Sequence, residues 1–269
     1  MPPSFSFVQP VLSGGLPKLS RRVQFSSLKL SSLNDDTLSQ IKDSNVVGIA
    51  PGYSKKGKLI GLALCTDSKG LILELDGRKQ AGSKTTKARR SSEDSESPSD
   101  ASDSSPPTTA THDARQLLED TILCRDSPDF ALAAFDFGPM AFALHSDAEL
   151  RVHNGFDVQA LFPGDDSISD RRPTSAVQKA LQSAHLDRVK ALNQRIETDF
   201  LNAEFSLGEI IHMKELACRA WLAYFLVSEC ADAKAMEEYK RISTKDMTPN
   251  VRNRRSAPGH FCCRLMHGA

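Results

Sequence analysis

Residues 46–75 hold three apolar runs, 46–49, 59–65 and 71–75, separated by Ala-Pro with "GYSKKGK" and by "TDSKG". Each run has strand length and is bounded by turn residues. Gaps this short cannot carry a crossover between parallel strands, so the three runs must pair as an antiparallel meander. The first run ends in "VVGIAPGYS", where Ala50, Pro51 and Gly52 follow the apolar residues and are expected to stop the strand.

The flanks carry helical signals. "LNDDTLSQIKDSN" is predicted as a short helix capped by Asn34 or Asp35, with Leu38 and Ile41 inward. "DARQLLEDTIL" reads as a helix turning Leu117, Leu118 and Ile122 inward. "FALAAFDFG" reads as a buried strand, and a helix is expected to start around Pro139. "RVHNGFDVQALF" supplies one more strand and a helix start. A long helix is expected over 174–205 and a buried one over 207–230. Trp221 and Tyr224 belong to the apolar body of that last helix and are expected in the core.

Three antiparallel strands followed by helix–strand–helix–strand is an α/β layout. Right-handed crossovers set the later strands beside the first. The expected sheet is mixed and five-stranded, three antiparallel strands and then two parallel ones, flanked by helices. The crevice at the end of strand one then faces the strand that finishes at Asp136, where α/β folds usually bind ligands.

Around this domain, placed at 25–77 and 114–242, three segments stand apart. Residues 1–24 are expected as a disordered leader. The first 34 residues hold no acid and carry Lys18, Arg21, Arg22 and Lys29 among serines, a composition shared by mitochondrial transit peptides. Residues 78–113, with "KARRSSEDSESPSD", lack large apolar residues and are expected as a disordered low-complexity insertion, a solvated linker or a phosphorylation or nuclear-targeting segment. Residues 243–269 are expected as a disordered tail.

Lys plus Arg and Asp plus Glu number 34 each, so no global charge favours nucleic acid or an anionic lipid surface. No apolar run approaches a membrane span, and no membrane partner is expected. Cys65, Cys124 and Cys218 lie in apolar contexts and are expected as reduced thiols. Cys262 and Cys263 with His260 and His267 match no zinc spacing. The expected location is intracellular, with nucleus and mitochondrion both open.

The order of these stretches resembles the ribonuclease D-like 3′–5′ exonuclease domain of the ribonuclease H-like fold, over roughly residues 25–229. "LNDDTLSQIKDSNVVGIAPGYS" is similar to the opening helix and first strand, which ends Asp-x-Glu in the family. "FALAAFDFGPMAFAL" is similar to the stretch holding its Asn-x-x-x-Asp motif. "RVHNGFDVQALF" resembles the strand with a Phe-Asp start, and "ELACRAWLAYFLV" the closing helix. The resemblance implies four carboxylates holding two Mg²⁺ or Mn²⁺ ions for phosphodiester hydrolysis.

Matched position by position, the Asp-x-Glu pair falls on Ala50 and Gly52, and the later aspartates on Met140 and Arg219. The motif's Asn falls on Asp136, and the scaffold aspartate on Asp157. Alanine, glycine and methionine offer no hard oxygen ligand, and arginine opposes a nearby cation. The resemblance therefore implies a degenerate site without its metal cofactor, whose four vacated positions still converge. Such a domain would act by binding single-stranded nucleic acid or a protein partner.

Arg219 either grips a phosphate or pairs with Glu215 one turn before it. Lys55, Lys56 and Lys58 on the first hairpin either track a nucleic-acid backbone or are solvated turn residues. Two rival expectations stand beside this one. An active metal-dependent 3′–5′ exonuclease could draw ligands from Asp43, Asp136, Asp157, Asp165 and Asp166. A structural or protein-interaction module would need none.

Overall fold

The computed structural model of the chain describes residues 4–8, 22–75, 108–163, 172–183, 205–206, 208–239 and 241–244. Strands β1 (Ser4–Val8) and β2 (Arg22–Lys29) come first, followed by helix α1 (Asp35–Lys42). The meander is β3 (Val46–Tyr53), β4 (Leu59–Cys65) and β5 (Lys69–Glu74). Helix α2 (Thr108–Leu118) runs into a π-helical turn, Glu119–Leu123. Then come β6 (Ala131–Ala134), α3 (Phe137–Ala148), β7 (Gly155–Asp157) and α4 (Val158–Leu161). Helices α5 (Pro173–Ser183) and α6 (Ile210–Phe225) follow, the latter ending in a second π turn, Leu226–Cys230. No helix among the described residues is long and apolar enough to cross a membrane.

The protein is α/β, and its described residues form a mixed sheet of seven strands in the order β1-β2-β5-β4-β3-β6-β7. The last five are the strands expected from sequence. β3 and β5 both run antiparallel to β4, while β6 and β7 run parallel to β3. The expectation of five strands is corrected by two more at the β5 edge. β2 joins β5 in parallel and β1 joins β2 antiparallel.

The N-terminal leader expected over 1–24 thus includes β1 and the start of β2. The overlooked signal is alternation: Val23, Phe25 and Ser27 are buried while Gln24 is exposed, the period of a strand with one covered face. Phe25 lies opposite Gly70 in register, and its ring covers that glycine. A Cβ on Gly70 would fall 2.2 Å from the ring. Burying such a ring contributes about 1.5–3 kcal/mol, enough to dock a strand that charge patterning alone would leave loose.

Side chains alternate across the sheet and feed two core layers. Val47 and Ile49 point into the layer with Leu38 and Ile41 of α1, Leu118 and Ile122, and Leu144 of α3. Asn34 caps α1, its side chain accepting from the Thr37 N–H at 2.9 Å. Ala50 faces the other layer, with Val177 and Leu181 of α5 and Leu216, Ala217 and Trp221 of α6. Gly48 shares this face. A Cβ there would lie 1.9 Å from the Ala220 carbonyl oxygen, so the backbone of α6 rests directly on β3. Trp221 is buried and stacks on Phe225 at 5.3 Å, a core residue as expected.

Several boundaries differ from expectation. β3 continues through Ala50, Pro51 and Gly52 to Tyr53, because pairing with β4 persists there (Ala50 with Ala63, Pro51 with Leu62). Its pairing with β6 stops at Gly48, so Pro51 sits where β3 has lost one neighbour, the setting a strand proline requires. α2 begins at Thr108, inside the span expected as insertion, and residues 76–107 lie outside the described ones. The helix expected over 174–205 is described only for Pro173–Ser183, and Phe205 is not helical. At the tail, Ile242 bridges Gly155 and Thr244 is buried against Val152, so order extends past 242; residues 245–269 lie outside the described ones.

Candidate functional site

Where β3 and β6 part, a cavity of about 310 Å³ opens, lined by Ile49, Ala50, Pro51, Tyr53, Phe135, Asp136, Pro139 and Arg219. This is the crevice outside the strand ends of an α/β sheet. Its walls are mainly apolar, and its polar groups are Tyr53, Asp136 and Arg219, from β3, the β6–α3 junction and α6.

Asp136 is held in an unusual conformation. Its backbone is left-handed, φ 50° and ψ 48°, at the residue before α3. Its N–H donates to Gln159 Oε1 at 2.7 Å. Asp136 is exposed by surface area, but partial desolvation on its crevice side raises the carboxyl's pKa, and a hydrogen bond from the Gln159 side chain pulls it partly back. Gln159 is 3 % exposed, and its own N–H donates to Asp157 Oδ1 at 3.0 Å. The scaffold aspartate of the sequence comparison thus caps α4, and α4 presents the glutamine that fixes Asp136.

Tyr53 is half-buried and its pKa is pushed up to about 12. Burial is the main cause, the Asp147 and Asp136 carboxylates add to it, and the Arg219 guanidinium opposes them. Asp147 itself reaches from α3 to accept the Leu59 N–H at 3.0 Å. Arg219 therefore acts electrostatically on the phenol at the crevice. No ion pair joins it to Glu215 among the described residues, and Glu215 Oε2 is buried without a hydrogen-bond partner among them.

Of the four positions expected to converge, only Ala50 and Arg219 line the crevice. Met140 is buried in the opposite core layer, beside Phe137 and Leu144. Gly52 lies under an aromatic ring: a Cβ there would fall 2.7 Å from Phe205 Cγ. The Phe205 N–H donates to the Tyr53 carbonyl at 2.7 Å, clipping the ring in place. The expected four-way convergence is corrected accordingly. The register of β3 puts Gly52 on the right face, but Phe205 fills the space above it, and the start of α3 turns Met140 into the other layer.

The residues do not fit a divalent metal pair. Asp136 is the one carboxylate on the crevice wall among the described residues, and Arg219 places a fixed positive charge on the same wall. No group of three His, Cys, Asp or Glu side chains capable of holding a metal ion occurs among the described residues. Mg²⁺ demands several hard oxygens in near-octahedral array. Asp43 follows α1 and is exposed, Asp157 is engaged as a cap, and Asp165 and Asp166 lie outside the described residues.

Lys55 and Lys56 are exposed and Lys58 is half-buried, all in the turn after Tyr53, where Gly57 takes a φ of 71°. None lines the cavity, though the turn continues directly from its Tyr53 wall. Sequence reasoning missed Tyr53, Gln159 and Phe205. A glutamine two residues after Asp157 carries no motif, and Phe205 reaches Gly52 only through the tertiary fold.

No model of a known protein family matches this chain, and no curated protein matches it. Its chemistry has to be inferred from the crevice itself.

Proposed function

We propose that this is a ribonuclease D-like domain of the ribonuclease H-like fold whose crevice binds single-stranded nucleic acid without cutting it. The strand order supports the fold assignment. Within β5-β4-β3-β6-β7 the sequence order is third, second, first, fourth, fifth, with α6 laid across the first strand.

The observation that carries the functional reading is Arg219 on the wall of that crevice, beside Ala50. A guanidinium in a mainly apolar pocket is suited to a phosphate oxygen pair, which it grips with two parallel N–H bonds. Tyr53 adds a half-buried aromatic face at the same mouth, and base–aromatic stacking tolerates any sequence. Lys55, Lys56 and Lys58 extend positive charge along the hairpin leading away from it. Phosphate contacts of this kind bind through counterion release, without a hydrolytic step.

The test is fluorescence anisotropy with labelled single-stranded RNA and DNA across a salt series. Affinity is expected to fall with a log–log slope of about −0.7 per phosphate contacted. Arg219→Ala should weaken binding and reduce that slope by about 0.7. Binding indifferent to salt, or unchanged in Arg219→Ala, would overturn the proposal.

A further inference from the structure

On the sheet face away from α6 a second, larger cavity of about 570 Å³ is lined by Arg115, Gln116, Glu119, His145, Ser146, Glu149 and Arg151. Its cationic groups come from three places: Arg115 from the last turn of α2, His145 from the last turn of α3, and Arg151 from the loop before β7.

Two carboxylates answer the two arginines, and they are not equivalent. Glu119 is 4 % exposed and opens the π turn. It accepts the Arg151 backbone N–H at 2.6 Å, Nε at 2.8 Å and Nη2 at 2.6 Å. That carboxylate is fully committed and holds one edge of the Arg151 fork. Glu149 is the more exposed partner. Its side chain is 46 % exposed, its backbone is left-handed at φ 58°, and it meets Arg115 Nη1 at 3.2 Å, long for a charge-assisted bond. Arg115 Nε is buried and has no hydrogen-bond partner among the described residues. π turns themselves recur at functional sites.

We propose that this cavity binds a small phosphate monoester dianion between Arg115 and Arg151, with Glu149 as the internal anion that the ligand displaces. Two guanidinium forks from different elements suit the oxygens of one phosphate. With Glu149 turned to solvent, Glu119 is the remaining carboxylate that lines the cavity among the described residues, and the Asp120 carboxylate acts on Arg151 from beside it. The end of α3 beside the cavity presents a dipole unfavourable to anions, a weaker effect than charge-assisted bonds from two arginines. Gln116 is turned to Asp120, at 2.8 Å, and contributes only its stem. A volume of this size leaves room for the organic group carrying the phosphate.

The experiment is calorimetric titration of the full chain with inorganic phosphate and with O-phosphoserine; stronger binding of phosphoserine marks an organic monoester as the ligand, equal binding marks free phosphate. Either is expected to bind, and dimethyl phosphate, a diester monoanion, more weakly. Glu149→Gln should tighten phosphate binding by about fivefold, by removing the competing charge. Arg115→Gln should weaken it at least about tenfold. In an Arg219→Ala background, which removes the crevice's guanidinium, the loss caused by Arg115→Gln should persist, which separates this site from the crevice. If Arg115→Gln fails to fold, the ¹⁵N shifts of the Arg115 guanidinium in the wild type, followed as phosphate is added, read the same contact. No phosphate binding, unmoved Arg115 signals, or a Glu149→Gln variant no tighter than wild type would overturn the proposal.

Discussion

The ring of Phe205 covers Gly52 so closely that a Cβ on the glycine would meet Phe205 Cγ at 2.7 Å and Cδ1 at 2.8 Å. The same ring covers Gly61 on the paired strand, where a Cβ would fall 2.3 Å from Cε1. Two facing glycines thus form a flat slot, and one phenylalanine fills it. Gly52→Ala is expected to cost about 1–3 kcal/mol, the range for overpacking a filled core. In a Phe205→Ala background the same change should cost little, a coupling that urea unfolding of the four proteins would read. Additive costs would mean that the ring does not sit on Gly52.

Metal-dependent cleavage is expected to be absent. End-labelled single strands incubated with the purified protein and Mg²⁺ or Mn²⁺ should stay intact on a denaturing gel, because the crevice wall offers one carboxylate beside a guanidinium. Cleavage that persists through purification and vanishes in Asp136→Asn would refute this.

Asp136 should make stability depend on pH in a defined direction. Its carboxyl titrates above the ordinary value of 3.8, chiefly because the crevice partly desolvates an otherwise exposed side chain. A raised acid contributes stability that is complete below the unfolded value and is lost as pH rises through the folded one. At neutral pH the ionised form therefore weighs against folding. Asp136→Asn should melt higher than wild type near neutrality, and the difference should shrink as pH falls below 3.8. Thermal melts of both proteins across that range would show it, and a gap that widens in acid would contradict it. Asparagine tolerates the left-handed backbone at this position, so the substitution adds little strain of its own.

The boundary of α2 has a direct consequence for deletions. Replacing residues 78–113 with a short Gly-Ser linker removes the first six residues of α2, Thr108 to Asp113. Stopping the replacement at residue 107 leaves the helix whole, and loop length by itself costs little. The shorter replacement should keep the melting temperature near that of the full chain, and the longer one should lower it. Equal melting of the two would mean that the first turns of α2 add nothing to stability.

The meander and the two later strands were legible because each is a short apolar run closed by turn residues, and so were α1 with its Asn34 cap and the inward faces of Leu118 and Ile122. β2 was harder to see, because "RVQFSSL" alternates apolar with polar residues inside a serine-rich, basic stretch that looks like a leader. At the crevice, the position of Arg219 beside Ala50 and Asp136 followed from matching motifs in order. The placement of Gly52 and Met140 did not, since spacing along a strand or helix names a face but not what comes to cover it.

Local sequence determined the meander, the two strands after it and the cores of the helices, because hydrophobic period, caps and turn residues act over a few neighbours. It also determined that positions 50, 52, 140 and 219 carry no carboxylate. Only the tertiary structure decided that Phe205 lies on Gly52, that Gln159 holds Asp136 in its left-handed turn, and that α6 rests its backbone on Gly48. Those contacts join residues far apart in the chain. They arise from packing whole elements at near-crystalline density, and no local pattern encodes which distant side chain fills a given gap.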